Sequence, residues 1–372
     1  MINKLQVKVG PEFYSYSEGA LDFIPELLSE HNAHNVLILH GTVSWEKAQP
    51  YLKSLEQDEK FSIFYEKYNG ECSFNEGKRI ADICKKNEID FIIGVGGGKL
   101  CDLTLYSASL VKINFGIVPT LASNCAPWTP LSVMYKDNGL AEGKTVHIKS
   151  QATFLVADPN IVIDSPINYF VAGIADTLAK WYESDIILTE DKYKNEPMIQ
   201  MAFYSAKMCR DKILSEADTA VKDMKNGKLS PEFVHISEIV IAIAGMVGGF
   251  GDKYSRNTAA HTMHDSLSAY LPSLHKYLHG EKVAYGIFFQ LALEGRWETI
   301  DNLIPFYEKF NLPMSLADMG VWPMNDKKIA EIVSLANSKE KIHILPIEIN
   351  EDILRDTMFK LESYMKNKNN AN

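Results

Sequence analysis

The segment that most constrains the fold runs from Asp90 to Leu110. Phe91-Ile-Ile-Gly-Val-Gly96 is an unbroken apolar run of strand length, and after Gly97-Gly98 it passes into Lys99-Leu-Cys-Asp-Leu-Thr-Leu-Tyr-Ser-Ala-Ser-Leu110, a helical pattern. A strand apolar on both faces and followed by a helix belongs in a parallel sheet covered on each side. Asn35-Val-Leu-Ile-Leu-His-Gly41 reads as another buried strand and Phe115-Gly-Ile-Val-Pro119 as a short third, with helical patterns between them. The alternation lasts about 160 residues and predicts an α/β architecture, in which nucleotides bind at the carboxyl ends of strands.

Beyond Asp158-Pro-Asn-Ile-Val-Ile-Asp-Ser-Pro166 the pattern changes to helical spacing rich in Ala, Leu, Lys and Glu. A chain of 372 residues outgrows a single core. The sequence therefore predicts two domains divided near Asp164: residues 1–164 α/β with a parallel sheet, and residues 165–372 all helical, punctuated at Pro231, Pro272, Pro305, Pro313, Pro323 and Pro346. The polar tail Lys366–Asn372 reads as a fraying end.

Composition excludes several classes. A net charge of −10, with Lys and Arg scattered along the chain, repels phosphodiester backbones and argues against a nucleic-acid partner. Met1-Ile-Asn-Lys-Leu5 lacks the apolar core of a signal peptide, and the longest apolar run, Ile239 to Gly251, falls short of the ~20 residues of a membrane span. Five cysteines without a CxxC pair fit reduced thiols. A soluble, cytoplasmic protein with no membrane partner is expected.

Two clusters carry chemistry. In Gly94-Val-Gly-Gly-Gly-Lys99, successive glycines let the backbone approach a pyrophosphate while the following helix offers free N–H groups. The turn is neither GxGxxG, because Lys99 stands sixth, nor Walker A, because Leu100 follows Lys99; a tight turn that needs glycine only for packing is the alternative. Of ten histidines, four lie close together: His261, His264, His275 and His279. His261 and His264 share a helix face. Asp176 sits in apolar Ala172-Gly-Ile-Ala-Asp-Thr-Leu-Ala-Lys-Trp181, where an unpaired carboxylate is costly to bury. A divalent cation takes such donors and keeps an open position for substrate. A helix-capping Asp with core or surface histidines accounts for the spacing equally well.

Taken together, Gly10-Pro-Glu-Phe-Tyr, Gly96-Gly-Gly-Lys-Leu-Cys-Asp, Val118-Pro-Thr, Ala172-Gly-Ile-Ala-Asp, His261-Thr-Met-His and His279-Gly-Glu-Lys-Val-Ala-Tyr-Gly resemble, nearly end to end, the iron-containing alcohol dehydrogenase superfamily in its glycerol dehydrogenase branch, a fold shared with dehydroquinate synthase. The blocks Cys125-Ala-Pro-Trp-Thr-Pro-Leu-Ser-Val-Met-Tyr135, Asp176-Thr-Leu-Ala-Lys-Trp-Tyr-Glu183 and Gly245-Met-Val-Gly-Gly-Phe-Gly-Asp252 most resemble the hydroxycarboxylate dehydrogenase A type, which reduces 2-oxo acids. The resemblance implies a dinucleotide-binding first domain, a second domain for metal and substrate, NAD or NADP as cofactor, one divalent metal and a homo-oligomer. It assigns metal ligation to Asp176, His264 and His279, and the pyrophosphate to Gly96, Gly97, Gly98, Lys99 and Asp102. Thr120, Ser123, Thr129, Leu131, Val133 and Tyr135 match positions along the cofactor, and His261 becomes a proton relay or a partner of a ligand.

Three departures from the branch shape the expected function. Cys125 stands where glycerol dehydrogenases carry an Asp near the substrate hydroxyls, which removes a negative charge and favours a carboxylate substrate over a polyol. Thr42 replaces the Asp that selects NAD, and with Lys47 nearby it points to NADP; the alternative is that Thr42 binds the ribose of NAD. Lys180 stands where iron-dependent relatives have a further His, leaving three protein ligands as in a catalytic zinc site, with iron the other choice. Lys180 is then either an exposed helix lysine or a binder of the substrate carboxylate.

The expected protein is a metal-dependent oxidoreductase that moves a hydride between NAD(P)H and a small 2-oxo or 2-hydroxy acid, with Cys125, Lys180 and His261 at the reacting centre. The rivals are an NAD-dependent glycerol dehydrogenase, a lyase of the dehydroquinate synthase type, and a non-catalytic nucleotide-binding scaffold.

Overall fold

The computed structural model of the chain describes residues 5–371. Met1–Lys4, read above for the absence of a signal core, and Asn372, at the end of the polar tail, lie outside the described residues.

Among the described residues eight strands form in chain order: β1 (Phe13–Tyr16), β2 (Asn35–His40), β3 (Ser62–Lys67), β4 (Phe91–Gly96), β5 (Asn114–Pro119), β6 (Leu131–Tyr135), β7 (Ala141–His147) and β8 (Phe154–Ala157). Six of them make one sheet in the order β1-β8-β5-β4-β2-β3, each neighbouring pair parallel. The remaining two, β6 and β7, pair antiparallel. β4 is buried at every residue, as its unbroken apolar run requires, whereas β3 is an edge strand with no fully buried residue. Val36, Ile38, Ile93, Val95, Val118 and Val156 pack with Leu21, Ile24 and Leu28 into one core. Each such side chain contributes about 1.5–3 kcal/mol by leaving water. Gly116 of β5 lets the Phe154 ring lie across it, since a Cβ there would come within 2.1 Å of the ring.

The chain leaves β2 for β3 on one side and returns with β4 on the other. The turns after β2 and β4 thus flank the point where strand order reverses, the place where open parallel sheets form a ligand crevice.

The residues cluster into two compact units, each made of discontinuous stretches. One joins Lys8–Phe170, which holds the sheet, to Glu216–Met246; the other contains Val171–Ser215 and the chain from Val247 onward, with a short N-terminal segment ending at Val7. A single cut near Asp164 does not describe this division. Glu216–Met246 belongs with the sheet because Tyr14 Oη donates to Glu238 Oε1 at 3.0 Å, Tyr16 Oη meets Ser237 Oγ at 2.6 Å, and Phe233 packs on Phe170 at 5.3 Å between ring centroids. Contacts so distant in sequence leave no trace in local periodicity.

The helices that matter for the site are α1 (Gly98–Val111), α2 (Ile167–Tyr182), α3 (Ala259–Tyr270), α4 (His279–Leu293), α5 (Asp326–Asn337) and α6 (Glu351–Ala371). In the helical unit, α3 packs on α4 and α5, and α6 packs on the same two. The tail expected to fray is helical through Ala371.

A further correction concerns the apolar segment near Ile239. α-helix at Pro231–Glu238, π-helix at Ile239–Ile243, α-helix at Ala244–Gly251 and a closing 3-10 turn form one 24-residue run that is long and apolar enough to cross a membrane. The sequence count stopped at Ser237 and Glu238, which the helix carries through. The most apolar window of the run is 61% buried inside the protein, the pattern of a core helix.

Candidate metal centre and nucleotide-binding turn

In the sheet unit, β4 ends at Gly96 and α1 begins at Gly98, with Gly97 as its N-cap. A Cβ would meet Leu100 at 3.1 Å from Gly96, Leu121 at 3.3 Å from Gly97 and the Asn124 amide at 2.7 Å from Gly98. Only at Gly98 would a Cβ overlap its neighbour outright; at Gly96 and Gly97 it would press on leucine side chains that can yield. The same turn delivers the positive end of a 14-residue helix to the carboxyl edge of the sheet, where an anion would be stabilised.

Most residues expected along the cofactor gather around this turn. Thr120 N donates to Gly96 O at 3.1 Å. Lys99 Nζ is held by both Glu71 oxygens at 2.7 and 2.8 Å and lies 4.7 Å over the Tyr135 ring. Asp102 is buried; its Oδ2 accepts from Val133 N at 3.1 Å and its carbonyl from Ser132 Oγ at 2.8 Å, which ties α1 to β6, the strand of Leu131, Val133 and Tyr135. Ser123 and Cys125 lie half-buried on the loop between β5 and β6, where Cys125 O accepts from Trp128 N and Thr129 N at 3.0 and 3.2 Å. Trp128 anchors that loop, its Nε1 donating to Val9 O and its ring lying over Gly10 and Gly245, where a Cβ would sit 2.3 and 2.6 Å from it.

Thr42 stands apart from these, exposed after β2, on an open cavity of about 520 Å³ lined also by Lys67, Tyr68, Asn69 and Gly70. Lys47, expected beside it, is paired with Asp164 instead. Lys67 reaches the cavity from β3, a strand that sequence reading missed.

In the helical unit, Asp176 on α2, His261 on α3 and His279 at the start of α4 each offer a ligand atom, all within 4.8 Å of one another. Asp176 Oδ1 lies 3.1 Å from His261 Nε2 and 3.4 Å from His279 Nε2. Two glycines allow this approach: a Cβ on Gly280 would sit 1.8 Å from Ala172 O of α2, and one on Gly286 would sit 2.3 Å from Ala260 O of α3. Of the expected ligands, Asp176 and His279 belong to this group, together with His261, whereas His264 is not among its three members. On α3 the two lie three residues apart, and spacing alone does not separate them. His264 is buried, its Nδ1 bonded to Asp265 Oδ1 at 3.0 Å, its ring 4.5 Å from that of His279, and its Nε2 without a hydrogen-bond partner among the described residues.

Glu183, which sequence reading quoted without a role, accepts from His261 Nδ1 at 2.6 Å. It lies two helical turns beyond Asp176 and so faces the same way, a signal that was present in the sequence. Lys180 is buried at 8% exposure, which removes the reading of an exposed helix lysine.

The electrostatics are those of a cation site. Burial opposes ionisation of Asp176, yet His279, His261 and Lys180 hold its carboxyl well below the usual range. Burial likewise opposes ionisation of Glu183, and His261 with two backbone N–H groups lowers it. Burial would depress His261, but Glu183 and Asp176 raise it to about 9. Burial and the neighbouring His279 push His264 down to about 3, so it is neutral at physiological pH. One carboxylate oxygen and two imidazole nitrogens converging on a point, with a second carboxylate fixing one imidazole from behind, fit a divalent metal.

A glycine turn at a sheet's reversal point and a cluster of buried Asp176 and His261 with the more exposed His279 are features that a nucleotide-binding, metal-binding protein would offer. The family model described as iron-containing alcohol dehydrogenase matches residues 11–159. Hydroxycarboxylate dehydrogenase A of Escherichia coli (strain K12) is 34% identical over 367 residues, covering 97% of this chain and 99% of that protein. Glycerol dehydrogenase of Thermotoga maritima is 28% identical over 367 residues, covering 95% of each. The crystal structure of a probable glycerol dehydrogenase from Sinorhizobium meliloti 1021 aligns with a TM-score of 0.84 at 28% identity, covering 97% of this chain and 99% of that one. The chain belongs to the iron-containing alcohol dehydrogenase family, as the motifs implied, and is an oxidoreductase acting on alcohol or hydroxyl groups.

Proposed function

We propose that the protein is a metal-dependent dehydrogenase that moves a hydride between NADP(H) and a small 2-oxo or 2-hydroxy acid. The observation that carries the substrate class is Lys180, a buried cation one helical turn from Asp176 in the same electrostatic network. A positive charge at that place, beside the one it already lends Asp176, suits a carboxylate substrate better than a neutral polyol. Cys125 contributes no negative charge to oppose that substrate. The 34% identity to a hydroxycarboxylate dehydrogenase supports the same reading.

In this reading Asp176, His261 and His279 hold the metal, and His264 Nε2 is a hydrogen-bonding atom left for a ligand at the site. A bound divalent cation supplies Lewis acidity toward the substrate carbonyl, and a reduced nicotinamide supplies the hydride. Lys180 orients the carboxylate. His261, with both ring nitrogens engaged by Glu183 and Asp176, serves as a ligand rather than a proton relay. A donor set of one carboxylate and two imidazoles suits zinc, with iron the alternative carried by the family's name.

The sheet unit is the dinucleotide-binding part, with the pyrophosphate at Gly96–Gly98. We assign selectivity for NADP to the cavity beside Thr42, where Lys67 offers the positive charge that a 2′-phosphate requires and Thr42 offers nothing that repels it. Subunits are expected to assemble as a homo-oligomer.

Steady-state assays with NADPH and NADH, each with 2-oxobutanoate and with dihydroxyacetone, before and after chelation, test these statements. Chelator-sensitive turnover is expected to be fastest for 2-oxobutanoate with NADPH. Lys67→Ala should raise KM for NADPH by about tenfold, the value of one charge-assisted hydrogen bond, and leave KM for NADH unchanged. Preference for dihydroxyacetone with NADH would make the protein a glycerol dehydrogenase instead.

A further inference from the structure

The helix that carries His261 is capped by side chains from two other helical segments. N-cap Thr258 makes no side-chain cap of its own. Thr258 N and His261 N donate to Glu183 Oε1 at 2.7 and 2.9 Å, and Ala259 N and Ala260 N both donate to Gln290 Oε1 at 3.1 Å. The four N–H groups that a helix start leaves without internal partners are thereby all satisfied. Glu183 and Gln290 are 1% and 0% exposed. Gln290 Nε2 donates onward to Tyr182 O at the end of α2 and to Glu294 Oε1, each at 2.8 Å.

We infer that Glu183 and Gln290 are positioning residues for the metal ligand His261. Glu183 follows the helix of Asp176 and Gln290 lies on the helix of His279, so the pair links all three donor-bearing segments through the start of α3. A cap alone needs only an acceptor for backbone N–H groups, and an amide serves as well at lower desolvation cost than a buried carboxylate. Glu183 does more than cap: its second oxygen takes His261 Nδ1, which would keep the proton on Nδ1 when a metal displaces the one on Nε2, the nitrogen that faces Asp176. Gln290 holds the same helix turn through Ala259 N and Ala260 N. This inference rests on Asp176, His261 and His279 being the ligands.

The test is zinc affinity, measured by chelator competition on the full-length protein, alongside the melting temperature of the metal-free form. Glu183→Gln retains an acceptor for Thr258 N and His261 N. It is expected to melt near the unaltered protein in the metal-free state while binding zinc about 10–100-fold more weakly. Gln290→Ala should lower both quantities. A folded Glu183→Gln protein that binds zinc within twofold of the unaltered chain overturns the inference. If the variants do not fold, histidine nitrogen NMR of the zinc-loaded unaltered protein decides. His261 bound through Nε2 with a proton on Nδ1 supports the positioning role, and binding through Nδ1 refutes it. Failure of the unaltered protein to take up zinc or iron refutes the ligand set itself, an outcome distinct from unchanged affinity in the variant.

Discussion

At the residue scale, burial of Asp102 ties the glycine turn and its helix to pH. Its carboxyl lies in the interior of α1 with Oδ2 on Val133 N and Oδ1 without a partner among the described residues. Burial pushes it up to about 8, and the Val133 N–H only partly offsets that. The folded state therefore holds a proton that the unfolded chain releases at about pH 4. Between about pH 4 and 8 the folded state binds more protons, so this residue's contribution to stability is full at the acid end and is lost as pH rises through the window. Asp102→Asn should flatten the melting temperature between about pH 5 and 9 and exceed the unaltered protein at the alkaline end. Parallel profiles for the two proteins would mean that Asp102 ionises in the fold without penalty.

Among the elements, the approach of α4 to α2 is what brings His279 to Asp176, and Gly280 is the contact that permits it. A methyl group there would press on the Ala172 carbonyl, which is backbone and has no rotamer by which to yield. Gly280→Ala should destabilise by about 1–3 kcal/mol, the ordinary cost of overpacking, and lose most zinc binding. Urea denaturation with a zinc titration reads both; retained affinity would show that the helices separate without moving the donors. Sequence reading found β2, β4 and β5 because their residues form unbroken apolar runs. It missed β1 and β3, which are sheet edges with partly exposed residues, and β8, which is buried but only four residues long. Of the candidate donors that the structure brings together, Asp176 and His279 are ones the sequence singled out, Asp176 as a charge in an apolar helix. The nearness of His261, rather than His264, to Asp176 was not legible, because Glu183, which holds His261, lies on a different helical segment.

At the scale of the whole molecule, the family assignment makes the chain an oxidoreductase, and the proposed function turns on the candidate donor cluster. The division into two discontinuous units was not legible, since Glu216–Met246 reads locally like the helices that follow it. The most direct measurement is the metal content of the intact chain by elemental analysis after loading and exhaustive dialysis, for the unaltered protein, His261→Ala and His264→Ala. One equivalent per chain is expected in the unaltered protein and in His264→Ala, with none in His261→Ala. A full equivalent in His261→Ala, together with its loss in His264→Ala, would contradict the site built here from Asp176, His261 and His279.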